Sequence, residues 1–316
     1  MDFEQSLTRA AQFFNQGQFA EAEQIYRQIL EVDRSQPDAL HRLGLLAHLA
    51  GQREHAINLI QMALENAPDY FSAHNNLGNV FRELGRLDEA AASYRQALAA
   101  KPDYFEAHGN LGMILQMQGR TEESIDSYER ALAINPDFAD AHNNLGNALS
   151  GLGRMGEAET CYRNAARAAP EFAIAHFNLG TVLKNQGNLE EAEKCLWRSL
   201  EINSNFVDAH NTLGTILQKR GNLTDAEQCY RNALGIHPDF AIACSNLGNV
   251  LEQQGRLEEA VASYRRALEI QPDYREAAGS LGSVLLSLGK LEEGLAMEQK
   301  GFGVVSFDVE NGISIQ

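Results

Sequence analysis

The stretch FSAHNNLGNVFRELGRLDEAAASYRQALAAKPDY, residues 71–104, decides the fold. Ala73, Leu77, Val80 and Phe81 fall on one face of a helix, because a helix turns about 100° per residue. Gly85 sits where a left-handed residue would end that helix. Asp88 and Glu89 then open a second helix, where negative charge meets the positive end of the backbone dipole. Ala90, Tyr94, Ala97 and Leu98 make its apolar stripe. Pro102 stops it, since proline has no amide hydrogen and its ring clashes with the preceding turn. Asp103 is placed to cap the helix that follows, with Tyr104 packing nearby. The small residues Gly78, Ala90 and Ala97 let the two helices and the next pair approach closely; a bulky residue at any of them should cost roughly 1–3 kcal/mol.

Working outward, the same wording returns every 34 residues without an insertion. Leu-Gly stands at Leu43-Gly44, Leu77-Gly78, Leu111-Gly112, Leu145-Gly146, Leu179-Gly180, Leu213-Gly214, Leu247-Gly248 and Leu281-Gly282. A second glycine follows each, from Gly51 and Gly85 to Gly289. Tyr94, Tyr128, Tyr162, Tyr230 and Tyr264 share one position, and Pro68, Pro102, Pro136, Pro170, Pro238 and Pro272 another. One helix pair cannot bury both of its faces, so the pairs must stack.

Leu-Gly, Gly, Ala, Tyr, Ala and Pro at this period resemble the tetratricopeptide repeat. The resemblance covers nine units: 3–36, 37–70, 71–104, 105–138, 139–172, 173–206, 207–240, 241–274 and 275–308. It implies an all-α fold, an α-solenoid wound as a right-handed superhelix, with the first helix of each unit lining the concave surface. The end units depart from the pattern. Arg9-Ala10 replace Leu-Gly in the first, and Gly294, Glu298 and Gly301 replace alanine, tyrosine and alanine in the degenerate last one. In the tail, residues 302–316, Val304, Val305, Phe307 and Val309 favour strand, and Asn311-Gly312 is a turn signal. A short hairpin or extended segment is expected there.

Two polar rows run along the first helices. Asn76, Asn110, Asn144, Asn178 and Asn246 form one, with Thr212 and Ser280 as polar substitutes. Asn79, Asn147 and Asn249 form the other, with Thr181 and Thr215 between them. Asparagine is a mediocre helix former. Its carboxamide holds a donor and an acceptor, which match the backbone of an extended peptide. Ala73-His74-Asn75-Asn76-Leu77-Gly78 is similar to the asparagine ladder of the superhelical arm of O-linked N-acetylglucosamine transferases. That resemblance places the rows in the groove. The opposing reading has the same amides bonding within the helix stack. His74, His108, His142, His176 and His210 lie on the other flank of the apolar stripe, with Cys244 next in line. Packed helices about 8–10 Å apart, two to a unit, hold these rings too far apart to share an ion, so a structural role is expected for them and for the Cys161, Cys195, Cys229 row.

Composition narrows the classes of function. A net charge of −17 disfavours nucleic acid, which needs basic clusters. No apolar run reaches the length of about 18 residues expected of a membrane span. Met1–Gln16 has no basic and apolar leader, and the four cysteines form no Cys-x-x-Cys pair, which fits a reducing, cytoplasmic setting. Cationic capture of terminal carboxylates is disfavoured, because Arg42 and Lys219 read as isolated exceptions on the first helices. Gly282 to Gly289-Lys290 is too widely spaced for a phosphate loop, no metalloprotease or serine-hydrolase signature occurs, and no cofactor or metal is expected. The leading expectation is a non-enzymatic scaffold binding a protein or peptide segment in extended conformation. Substrate recruitment for a protein O-glycosyltransferase or another modifying enzyme is the rival. Self-assembly into a homo-oligomer through the C-terminal end is the third.

Overall fold

The computed structural model describes residues 3–302, 305–308 and 312–315, which divide into two compact units, Met1–Ala168 and Ala169–Gln316. The first holds five helix pairs: α1 (Phe3–Asn15) and α2 (Phe19–Val32), α3 (Pro37–Leu49) and α4 (Arg53–Asn66), α5 (Phe71–Glu83) and α6 (Leu87–Ala100), α7 (Phe105–Met117) and α8 (Thr121–Ile134), α9 (Ala139–Gly151) and α10 (Met155–Ala168). The second holds four: α11 (Ala173–Asn185) and α12 (Leu189–Ile202), α13 (Val207–Lys219) and α14 (Leu223–Ile236), α15 (Ala241–Gln253) and α16 (Leu257–Ile270), α17 (Arg275–Ser287) and α18 (Leu291–Phe302). Two strands follow, β1 (Val305–Asp308) and β2 (Gly312–Ile315), antiparallel with Val305 opposite Ile315 and Asp308 opposite Gly312. Val304, Val309 and Asn311 lie outside the described residues.

The second glycine makes each turn. Gly85 has φ 72°, which an L side chain rarely adopts. It lets Arg86 N–H reach Phe81 O at 2.9 Å and Gly85 N–H reach Arg82 O at 3.0 Å, closing carbonyls that α5 would otherwise leave open. Asp88 and Glu89 stand in the first turn of α6, and Glu89 also accepts from Arg86. Asp103 does not cap α7. The cap residue is Tyr104, whose side chain makes no capping bond, because Phe105 rather than Tyr104 starts the helix and Asp103 is one residue too early. Tyr104 instead sets its ring edge-to-face against Phe71, centroids 5.1 Å apart, across the junction of two pairs.

Ala73, Leu77, Val80 and Phe81 of α5 pack on Ala90, Ala91 and Tyr94 of α6 and on Leu111, Ile114 and Leu115 of α7, so the core runs from pair to pair. Burying a side chain such as Phe81 contributes roughly 1.5–3 kcal/mol. A Cβ on Gly78 would lie 2.6 Å from Tyr94 Cε1, so the Leu-Gly glycine is the seat of the tyrosine ring. Within each unit first helices also meet one another, α3 with α5, α7 with α9, α11 with α13, α13 with α15 and α15 with α17. Second helices make no comparable contact among the described residues. First helices therefore line the inner side of each unit's curve.

Candidate functional site

The first asparagine row is half-buried on these inner helices, and its amides are oriented from one pair to the next. Asn76 Nδ2 donates to His41 Nε2 (2.9 Å), Asn110 Nδ2 to Asn75 Oδ1 (3.0 Å) and Asn246 Nδ2 to Asn211 Oδ1 (2.9 Å). Each bond reaches back 35 residues. It fixes the carboxamide with its oxygen turned away from the donor bond. Among the described residues those three oxygens have no protein partner. Asn144 Oδ1 receives a long contact from Asn143 Nδ2 (3.4 Å), and Thr212 is buried.

The second row is oriented the opposite way. Asn79, Asn147 and Asn249 each accept the hydroxyl proton of the tyrosine fifteen residues on, Tyr94, Tyr162 and Tyr264, at 2.8, 2.8 and 2.7 Å. Burial pushes the Tyr94 and Tyr162 hydroxyls up to about 12, so they remain donors. Where the pairing is broken, Tyr128 turns its hydroxyl to Gln116 Oε1 instead (3.2 Å), and at two other places a polar atom is orphaned. Thr181 faces Leu196 instead of tyrosine, and Tyr26 faces Ala11; the Thr181 and Tyr26 hydroxyls are buried without a hydrogen-bond partner.

The histidine row ties the loops. Nε2 of His74, His108, His142, His176 and His210 lies 2.7–3.0 Å from the carbonyl six residues earlier, on Pro68, Pro102, Pro136, Pro170 and Ser204. A carbonyl only accepts, so Nε2 carries the proton. His41, one position further along, belongs to a relay. Asn76 donates to its Nε2, its Nδ1 lies 3.1 Å from Tyr70 Oη, and Tyr70 donates to Asp38 Oδ1 at 2.5 Å. Burial, then the charge of Arg42, lowers its pKa to about 4 and keeps it neutral. No group of three His, Cys, Asp or Glu among the described residues could hold a metal ion. Cys161 and Cys229 are buried, which raises their thiols to about 11 and 12 and keeps them protonated.

Lys219 is not isolated. Half-buried Lys184, 35 residues earlier on α11, is lowered by burial and by the charge of Lys219, and neither lysine has an ion pair among the described residues. The same step that links the asparagines links these cations, a signal present in the sequence but overlooked when only single positions are compared. Two cavities, of about 480 and 680 Å³, do not open on the asparagine rows. They lie between second helices, α2 with α4 and α6 with α8, over Leu30, Leu43 and Ala47 and over the equivalent Leu98, Leu111 and Leu115. A smaller cavity of about 140 Å³ lies on the first-helix side between Asn110 and Asn144. No helix among the described residues is long and apolar enough to cross a membrane.

A stack of helix pairs with first helices on the inner side is an α-solenoid. Four family profiles, each described as tetratricopeptide repeat, match residues 13–77, 50–105, 75–139, 127–160, 173–206 and 211–275. The chain belongs to the tetratricopeptide repeat family. Among curated proteins none matches. Of solved structures, YrrB, described as a TPR protein with an unusual peptide-binding site, is 25% identical, covering 64% of this chain and all (100%) of its own, with a TM-score of 0.54. Pseudomonas aeruginosa PilF (22% identical, 66% of this chain and 94% of that one, TM-score 0.60) shares the fold. So does the APC/C hetero-tetramer Cut9–Hcn1 (16% identical, 90% and 56%, TM-score 0.61).

Proposed function

We propose that each unit holds an extended segment of a partner protein along its first helices, reading the segment's backbone through the two amide rows. The observation that carries this is the opposed orientation of asparagines one turn apart. On α5, Asn76 has its nitrogen engaged by His41 and Asn79 has its oxygen engaged by Tyr94. That leaves an acceptor followed by a donor. Asn246 and Asn249 on α15 repeat the arrangement. An extended strand offers N–H and C=O groups in the complementary sense. Rungs one helix pair apart correspond to roughly three or more extended residues, from about 3.3–3.6 Å of chain per residue and helices about 8–10 Å apart. In the first unit the ladder is Asn76, Asn79, Asn110, Asn144 and Asn147, and in the second Asn178, Thr212, Asn246 and Asn249. That the similar YrrB is described as having a peptide-binding site supports a peptide as the ligand.

The test uses random peptides displayed on phage and selected on the full chain, then labelled and titrated by fluorescence anisotropy. Replacing Asn110, Asn144 and Asn178 together with alanine should weaken binding about tenfold or more, since each net hydrogen bond is worth about 0.5–1.5 kcal/mol. A folded triple variant with wild-type affinity removes the ladder from recognition.

The wording shared with O-linked N-acetylglucosamine transferase arms supports a narrower reading, in which the chain recruits substrate for a modifying enzyme in a cytoplasmic setting without turning over itself. Sugar transfer from a nucleotide donor by the purified chain would contradict it. Self-assembly draws on α18, whose Leu291, Leu295 and Phe302 are exposed. A light-scattering mass that stays monomeric at all concentrations would exclude it.

A further inference from the structure

The cavity between Asn110 and Asn144 exists because one unit breaks the repeat wording twice. Gly109 stands where Asn75, Asn143 and Asn211 stand elsewhere, and Met113 where Asn79 and Asn147 stand. The Phe138 ring tucks over Gly109, where a Cβ would lie 2.7 Å from Cε1, and forms one wall. Met113 forms another, so the backbone-reading amide of the second row is replaced here by an apolar surface.

The mouth has the opposite character. Asn110 turns its nitrogen to Asn75 and so presents its oxygen. Exposed Asp140 also lines the cavity and has no ion pair among the described residues. Asn144 Oδ1 has only its long contact from Asn143. No cation lines the cavity. Arg82, on the preceding pair, holds its Nη1 3.3 Å from Met113 Sδ.

Resting on the backbone-reading mode proposed above, we infer that this cavity is a specificity pocket for one lysine side chain of the extended segment. The methylene stem lies along Met113 and Phe138, and the ammonium group meets Asp140 and the Asn110 oxygen. An apolar side chain would satisfy the walls but leave the oxygens unpaired, and an acidic one would meet Asp140 with like charge. Arg82 disfavours a second basic residue on its side, so the motif is a single lysine rather than a basic run.

The experiment is a double-mutant cycle on the selected peptides, with the full chain. Most should carry one lysine, and replacing it with alanine should weaken binding to the wild-type chain about fivefold or more, as for a partly buried charged hydrogen bond. Against Asp140→Asn the same replacement should have little effect. Asp140→Lys should select peptides with aspartate or glutamate at that place. Peptides without a basic residue, or a lysine whose loss costs the same in wild type and Asp140→Asn, overturn the pocket. If such peptides still depend on Asn110 and Asn144, only the pocket falls; if nothing binds, or binding ignores the asparagines, the ladder falls with it.

Discussion

Helices α5 and α6 are spaced by a ring, whereas α17 and α18 touch backbone to backbone. In the first pair Gly78 receives the Tyr94 ring, whose hydroxyl crosses to Asn79. In the second no tyrosine is present. A Cβ on Gly282 would meet Glu298 N at 2.6 Å, one on Gly294 would meet Leu286 N at 3.0 Å, and one on Gly301 would collide with the backbone of Gly279. Phe302 closes over Gly279, where a Cβ would lie 2.5 Å from its Cζ. These two pairs are therefore different physical solutions of the repeat, beside the aliphatic spacers Ile60 at Gly44 and Leu196 at Gly180. An aromatic spacer brings a polar cross-link that orders an inner-face amide. Glycine contact brings closer helices and leaves Ser283 bonded to Glu298 instead (3.1 Å). The glycines in α18 carry a helix-propensity penalty of about 1 kcal/mol each, offset only while the two backbones stay in contact.

Four substitutions test that contrast. Tyr94→Ala removes the spacer and should destabilise the first unit by about 3–5 kcal/mol, read from denaturant unfolding and from amide exchange in α5 and α6. A loss under about 1 kcal/mol would mean that the helices close without the ring. Gly301→Ala should cost about 1–3 kcal/mol through overpacking, with amide protection lost in α17 and α18 while the first unit keeps its own. Unchanged protection would show that the backbone contact is dispensable. The smallest effect separates two tyrosines. Tyr94→Phe should cost about 1 kcal/mol because Asn79 loses its donor, whereas Tyr26→Phe should be neutral or stabilising because its hydroxyl is already unpartnered. Equal losses at the two sites would break the link between tyrosine and the inner-face amide.

Much of this was legible beforehand. Gly85, Asp88 and Glu89, and Pro102 mark helix ends by rules that act within a turn, and the helices begin and end beside them. Asp103 misled because a start signal one residue out of place looks the same in the chain. The partnership of Asn79 with Tyr94 was present as a fifteen-residue spacing, matched at Asn147 with Tyr162 and Asn249 with Tyr264, and broken at Thr181 with Leu196. It becomes readable only once the tyrosine is known to tip across the glycine. Lys184 beside Lys219 was hidden for a related reason: neighbours on adjacent first helices are 35 residues apart, one more than the repeat.

The chain by itself determined the helix pairs, their period and the stripe that each buries, because backbone conformation and amphipathic spacing are set by residues a few positions apart. Tertiary structure decided which end of each carboxamide is taken and which is offered, and that a cavity opens beside Gly109. Oxygen and nitrogen ends of asparagine are nearly the same size, so only a fixed neighbour from another helix, His41, Asn75, Asn211 or a tyrosine hydroxyl, can orient them.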